Sequence, residues 1–154
     1  MDAVLSIEPS FARKILSGEK RYEFRRSTFA DHTTVEFVYL YASAPEQQIV
    51  GAFTTTRVVE AQPETLWERF GDAGGIDKER FFDYFEGVDT GHAIRVDETH
   101  EFEMCVDPTE QFEDFSVPVS FCYLNETERE TLRGRLAARD ETAQSPPLAR
   151  FTEE

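Results

Sequence analysis

Lys20, Glu23 and Arg25 stand three and two positions apart in the stretch GEKRYEFRR, residues 18 to 26. An ammonium, a carboxylate and a guanidinium so spaced can act together on a nucleotide. The lysine offers a point charge to phosphate, and the arginine a planar fork to phosphate or a base edge. The carboxylate can accept a hydrogen bond from an exocyclic amine, or draw a proton from water as a general base. The chain holds 31 acidic and 16 basic residues, yet Arg13, Lys14, Lys20, Arg21, Arg25 and Arg26 put six of those sixteen between positions 13 and 26. The plain structural account is a solvated strand face, with the cations partly exposed and Glu23 paired to Arg25 for about 0–1 kcal/mol.

The elements that must carry this group follow from periodicity. RYEFRR alternates, so Tyr22 and Phe24 point one way as core residues while Arg21, Glu23 and Arg25 point the other. Before it, AVLSI reads as a strand, and Pro9 opens a helix with Phe11, Ile15 and Leu16 on one face and Gly18 as its stop. After it, VEFVYLYA (35–42) and IVGAFTTTRVVEA (49–61) read as a hairpin, with a bulge or close approach at Gly51. Pro63 starts a short helix, PETLWERF, and Asp77 caps a second, with Phe81, Phe82 and Phe85 toward the core and Gly87 at its end. Residues 91–106 supply one or two strands and 117–124 another, following an acidic loop, for about six strands in all. Leu5, Ile7, Phe37, Tyr39, Val50, Phe53, Phe82 and Phe85 are the expected core. A polar surface helix capped at Asn125 or Thr127 follows, and the tail after Asp140, rich in Pro and polar residues, reads as loose and dispensable for folding.

Composition sets the limits. One domain fits 154 residues, and 40% hydrophobic residues with 14 Phe suffice for a core. A net charge of -15 and only three lysines suit a halophilic protein with an acidic surface. In molar salt the Debye length falls to about 3 Å, so local clusters matter more than total charge. Cys105 and Cys122 lack metal-ligand spacing and suggest reduced thiols in a cytoplasmic protein. His32, His92 and His100 share no spacing that would gather a metal, and neither metal nor cofactor is expected. No apolar run approaches the roughly 20 residues that cross a bilayer, so no membrane is expected as a partner.

Gly18, Lys20, Glu23 and Arg25 fit the pattern G-x-K-x-x-E-x-R after a first helix, and together with YASAP (41–45) and SFCY (120–123) they give a chain that resembles the ASCH domain family of the PUA-like superfamily. With the acidic composition, the resemblance points to a haloarchaeal member. It implies an α+β fold, a PUA-like mixed β-barrel of about six strands with short helices over residues 1–124; the C-terminal surface helix and flexible tail over 125–154, read from composition, lie outside the resemblance. It also implies a cleft that holds RNA or a modified nucleotide, with DNA as an alternative and protein partners undefined. Lys20, Glu23 and Arg25 would form that cleft, with Ser6 and Tyr41 and Ser43 at strand ends near its mouth and Ser120 on the closing strand. Trp67 could stack on a base, although in a short helix such a residue reads first as a core anchor.

Some ASCH proteins are amidohydrolases on N4-acetylcytidine, with a lysine, a threonine nucleophile and a glutamate. Lys20 matches the first, but the threonine position holds Glu23, a poor nucleophile toward an amide, and the later glutamate could be Glu60 or Glu64. A binding module is therefore the leading expectation. A small amidohydrolase using Lys20 and Glu23 on acylated nucleosides is the second, and a protein-interaction domain the third.

Overall fold

The computed structural model describes residues 1–29 and 34–144, with side chains as far as residue 136. Strand β1 (Ala3–Ile7) runs into helix α1 (Pro9–Ser17), which starts on Pro9 and stops where Gly18 adopts a φ of 89°. Strands β2 (Tyr22–Arg25), β3 (Phe37–Ala42), β4 (Gln48–Thr54) and β5 (Val58–Ala61) follow, then helices α2 (Pro63–Phe70) and α3 (Lys78–Tyr84). Strands β6 (Gly91–Arg95) and β7 (Thr99–Val106), the short helix α4 (Pro108–Gln111), strand β8 (Phe121–Tyr123) and helix α5 (Glu126–Gln144) complete the chain.

The strands form a five-stranded sheet, in the order β7-β4-β3-β1-β8, and a three-stranded sheet, β2-β6-β5. β1 and β3 are parallel, because α1 and β2 carry the chain over between them; the other pairings are antiparallel. The class is the expected mixed α+β, but eight strands replace about six and the two sheets do not close into a barrel. The run 49–61 divides because the Thr55 hydroxyl bonds the Arg57 backbone and turns the chain from one sheet to the other. The run 91–106 divides likewise at Val96–Glu98, where Asp97 N–H and Thr54 O are bonded. At Gly51 the register shifts as expected, and a Cβ there would lie 2.5 Å from the His100 carbonyl oxygen.

Three apolar clusters result. Leu5, Ile7, Ile15, Leu40, Phe53 and Ile94 fill the space between the sheets and α1. Alternation along β1 sends Val4 to a second cluster with Tyr39, Ile49, Phe102, Leu132 and Leu136, under α5. Phe24, Leu66, Phe70, Phe81 and Phe85 form a third around the small sheet, α2 and α3. Of the expected core, Phe37, Val50 and Phe82 are only partly buried, and so is Tyr22, stacked on Phe70 with ring centroids 4.2 Å apart.

Helix α5 begins with reciprocal capping: Asn125 Oδ1 accepts from Glu128 N–H, and Glu128 Oε1 accepts from Asn125 N–H. Its Arg133 grips fully buried Asp2 through two bonds of 2.9 Å and donates to Glu36 at the same distance. Residues 141–144, expected to open the loose tail after Asp140, continue α5, and the rest of that tail lies outside the described residues.

Candidate functional site

Lys20 precedes β2 and is held from both sides. Its N–H donates to the Lys14 carbonyl, and Arg21 N–H to the Ala73 carbonyl in the turn that leads into α3. That turn presents two more carbonyls: Gly74 accepts from Lys20 Nζ, and Gly75 from Lys14 Nζ at 3.1 Å. Gly74 is needed there because a Cβ would meet the Phe24 ring at 2.3 Å. The Lys20 ammonium also lies 3.5 Å from Glu23 Oε1, and 5.0 and 5.4 Å from the ring centroids of Phe11 and Phe24. Burial pushes its pKa below the ordinary lysine value, partly opposed by the charge of Glu23.

Glu23 is the centre of the group. One oxygen faces Lys20, and the other accepts from Arg25 Nη1 at 2.9 Å. Arg25 also donates through Nη2 to the Ser120 hydroxyl at 2.8 Å and the Ser120 carbonyl at 3.2 Å, and through Nη1 to the Ser6 carbonyl at 3.4 Å. It thereby ties the small sheet to β1 and to the chain entering β8, while its buried Nε has no hydrogen-bond partner among the described residues. Lys20, Glu23 and Arg25 are 2%, 5% and 8% exposed, which corrects the expectation of a solvated strand face with partly exposed cations. The reason is placement: the polar face of β2 looks toward β1 and β8 rather than toward water. Two cations on one carboxylate leave the buried group with one surplus positive charge.

The group opens on a cavity of about 440 Å³. Ser6, Lys20, Glu23, Arg25 and Ser120 line it, joined by Glu8 and Phe11 from the start of α1, Arg26 and Ser27 after β2, and Arg80 and Tyr84 on α3. Ser6 takes part through its carbonyl, because its hydroxyl donates to the Pro118 carbonyl at 2.6 Å. Three expected residues lie elsewhere. Tyr41 packs in the cluster under α5, with its hydroxyl pKa raised by burial; Ser43 donates its N–H to Ile7 and stays outside the lining; Trp67 packs on Phe81 and Phe82 as a core anchor. Glu60, on β5, sits 4.0 Å from His92, and Glu64 lines a separate hollow with Phe82 and Phe85, so neither lines the cavity with Lys20.

Sequence reasoning missed Arg80 and Tyr84. Their spacing of four on α3 places them on one helix face, a signal visible in KERFFDY. His32 lies outside the described residues, and among those described no three His, Cys, Asp or Glu side chains gather as metal ligands would. Both cysteines are free thiols. No described helix is long and apolar enough to cross a membrane.

Comparison with known proteins agrees with this layout. No family model matches the chain. An ASCH domain-containing ribonuclease of Zymomonas mobilis is 32% identical over 93 residues, which are 60% of this chain and 62% of that protein's length. The crystal structure of ASCH from Zymomonas mobilis superposes with a TM-score of 0.79 at 27% identity, over 86% of this chain and 94% of that one. The N-terminal domain of Staphylothermus marinus McrB gives 0.54 at 14% identity, over 87% and 93%, a likeness of fold alone. In sequence and in fold, therefore, the chain is similar to ASCH-domain proteins, as the Gly18–Arg25 pattern suggested.

Proposed function

We propose that the cleft binds RNA or a modified nucleotide, one nucleotide unit entering the cavity beside Lys20 and Arg25. The observation that carries this reading is a surplus positive charge, buried and open to a cavity of about 440 Å³, in a chain of net charge -15. Burying such a charge is costly, and perturbed ionisable groups in clefts mark ligand sites more often than bare scaffolding. The ribonuclease name of the Zymomonas mobilis relative supports RNA as the polymer. Lys20 and the Ser120 hydroxyl face the ligand, while Glu23, with both oxygens engaged, orients the two cations. The acidic remainder serves solubility in a salt-rich cytoplasm.

The test is a fluorescence titration of a short single-stranded RNA against the wild type and Lys20→Met, in potassium chloride from about 0.1 M to near-molar. The wild type should bind with an affinity that falls as salt rises, and Lys20→Met should bind at least tenfold more weakly. Absence of wild-type binding at every salt concentration overturns the proposal.

A second reading is hydrolytic: burial lowers the pKa of Lys20, so its neutral amine, able to take a proton, is reached below the ordinary lysine value. RNA cleavage and release of acetate from N4-acetylcytidine, each lost in Lys20→Met, are the results it expects. In this reading Glu23, whose oxygens lie against Lys20 and Arg25, holds the lysine in place.

A further inference from the structure

We infer that Arg80 and Arg26 form a phosphate-recognising lip on this cleft, and that Glu8 competes with the ligand for Arg80. The inference rests on the nucleotide-binding reading and narrows its ligand to the nucleoside monophosphate unit, whether a free nucleotide or the phosphorylated end of a strand.

Arg80 and Glu8 both line the cavity and pair with each other, joining α3 to the junction of β1 and α1. Each side chain is 51% exposed, so the pair lies at the rim and not in the buried interior. An exposed carboxylate-guanidinium pair is weak and readily exchanged. A phosphate monoester presents more charge and more acceptor oxygens to the same planar fork than a carboxylate does. The Arg80 guanidinium also lies 4.8 Å from the ring centroid of Phe11, another residue of the cavity lining.

Arg26 completes the lip. Its N–H donates to the Tyr84 hydroxyl at 3.2 Å, which brings the end of β2 against α3, and its guanidinium has no carboxylate partner among the described residues. The interior differs from the lip. There Arg25 is engaged by Glu23, Ser6 and Ser120, and Lys20 by Gly74 and Glu23. Because the Ser120 oxygen accepts from Arg25, its own O–H is left to donate. Such an interior suits the hydrogen-bonding edge of a base, whose carbonyl and ring-nitrogen acceptors meet the surplus positive charge, whereas the exposed lip suits a full anion.

The experiment is isothermal titration calorimetry of the four ribonucleosides, their 5′-monophosphates, and an RNA trinucleotide with and without a 5′-phosphate. The proteins are the wild type, Arg80→Ala and Glu8→Gln, with thermal melts to confirm that these exposed changes leave the fold intact. The wild type should bind at least one monophosphate about tenfold or more tightly than its nucleoside, as expected for charge-assisted bonds to phosphate. Arg80→Ala should remove most of that preference, and Glu8→Gln should tighten monophosphate binding severalfold without changing nucleoside binding. A matching gain for the phosphorylated trinucleotide assigns a strand end, and a gain confined to mononucleotides assigns the free nucleotide; either supports the class. Equal affinity for nucleoside and monophosphate, or a preference untouched by Arg80→Ala, overturns the lip and leaves nucleotide binding standing. Binding of none of these probes or of longer RNA removes both.

Discussion

At the two ends of β1 stand two charged trios of opposite composition. Beside Ser6, two cations share one carboxylate: Lys20, Glu23 and Arg25, each less than a tenth exposed, against a cavity. At Asp2, one cation serves two carboxylates: Arg133 bonds buried Asp2 and reaches Glu36, whose side chain is 62% exposed. In the second trio the surplus charge faces water, so the network is complete as it stands and fastens α5 to the large sheet. In the first, the surplus charge is buried and no second carboxylate pairs with Lys20 or Arg25 among the described residues. Burial of an ion network does not by itself distinguish a strut from a site; the sign and accessibility of the uncompensated charge do.

The largest effect is expected at Glu23. Glu23→Ala leaves Lys20 and Arg25 buried without their anion and should cost about 3–5 kcal/mol in urea unfolding. A loss under about 1 kcal/mol would mean that the cleft trio is solvated after all. Arg133→Ala leaves the Asp2 carboxylate with the Phe37 N–H as its bond among the described residues and should cost about 1.5–3 kcal/mol, while RNA affinity stays at the wild-type value. A parallel loss of binding would contradict the division between strut and site.

The Lys20 pKa sharpens the contrast through pH. Its folded value lies below the ordinary 10.5, so between those two values the unfolded chain holds a proton that the folded chain has released. Across that window wild-type stability should rise with pH relative to Lys20→Met, and below it the folded state carries the full cost of the buried ammonium. Urea midpoints of the two proteins from pH 7 to about 10.5 measure the difference; parallel profiles would show that Lys20 is not desolvated. The smallest effect belongs to the exposed Arg13–Glu46 pair, 2.7 Å apart, where Arg13→Ala should change stability by less than about 1 kcal/mol.

Local chemistry made part of this legible in advance. Pro9, Pro63, Asp77 and Asn125 mark helix starts because an N-terminus is decided within a few residues. Alternation in YEFR separated Phe24 from Glu23 and Arg25 for the same reason. What was not legible is long-range. Arg25 is buried by Ser120, 95 positions away, and nothing in RYEFRR announces that its charged face meets a second sheet. Tyr41 and Trp67 illustrate the same limit, since an aromatic residue suits a core as well as a cleft and only the packing decides. The turn between β4 and β5 carries neither Gly nor Pro, because the Thr55 hydroxyl supplies the bond that such residues would otherwise make unnecessary.

The nucleotide unit is expected in the cleft formed by Lys20, Glu23 and Arg25 with its Arg26 and Arg80 rim, and not on the α5 side of the molecule. Amide chemical-shift mapping during titration with a short single-stranded RNA tests this placement most directly. Shifts should concentrate at Ser6, Lys20, Glu23 to Ser27, Arg80 and Ser120, with Asp2 and Arg133 unmoved. Shifts spread over the surface, or centred on α5 with the cleft silent, would contradict it.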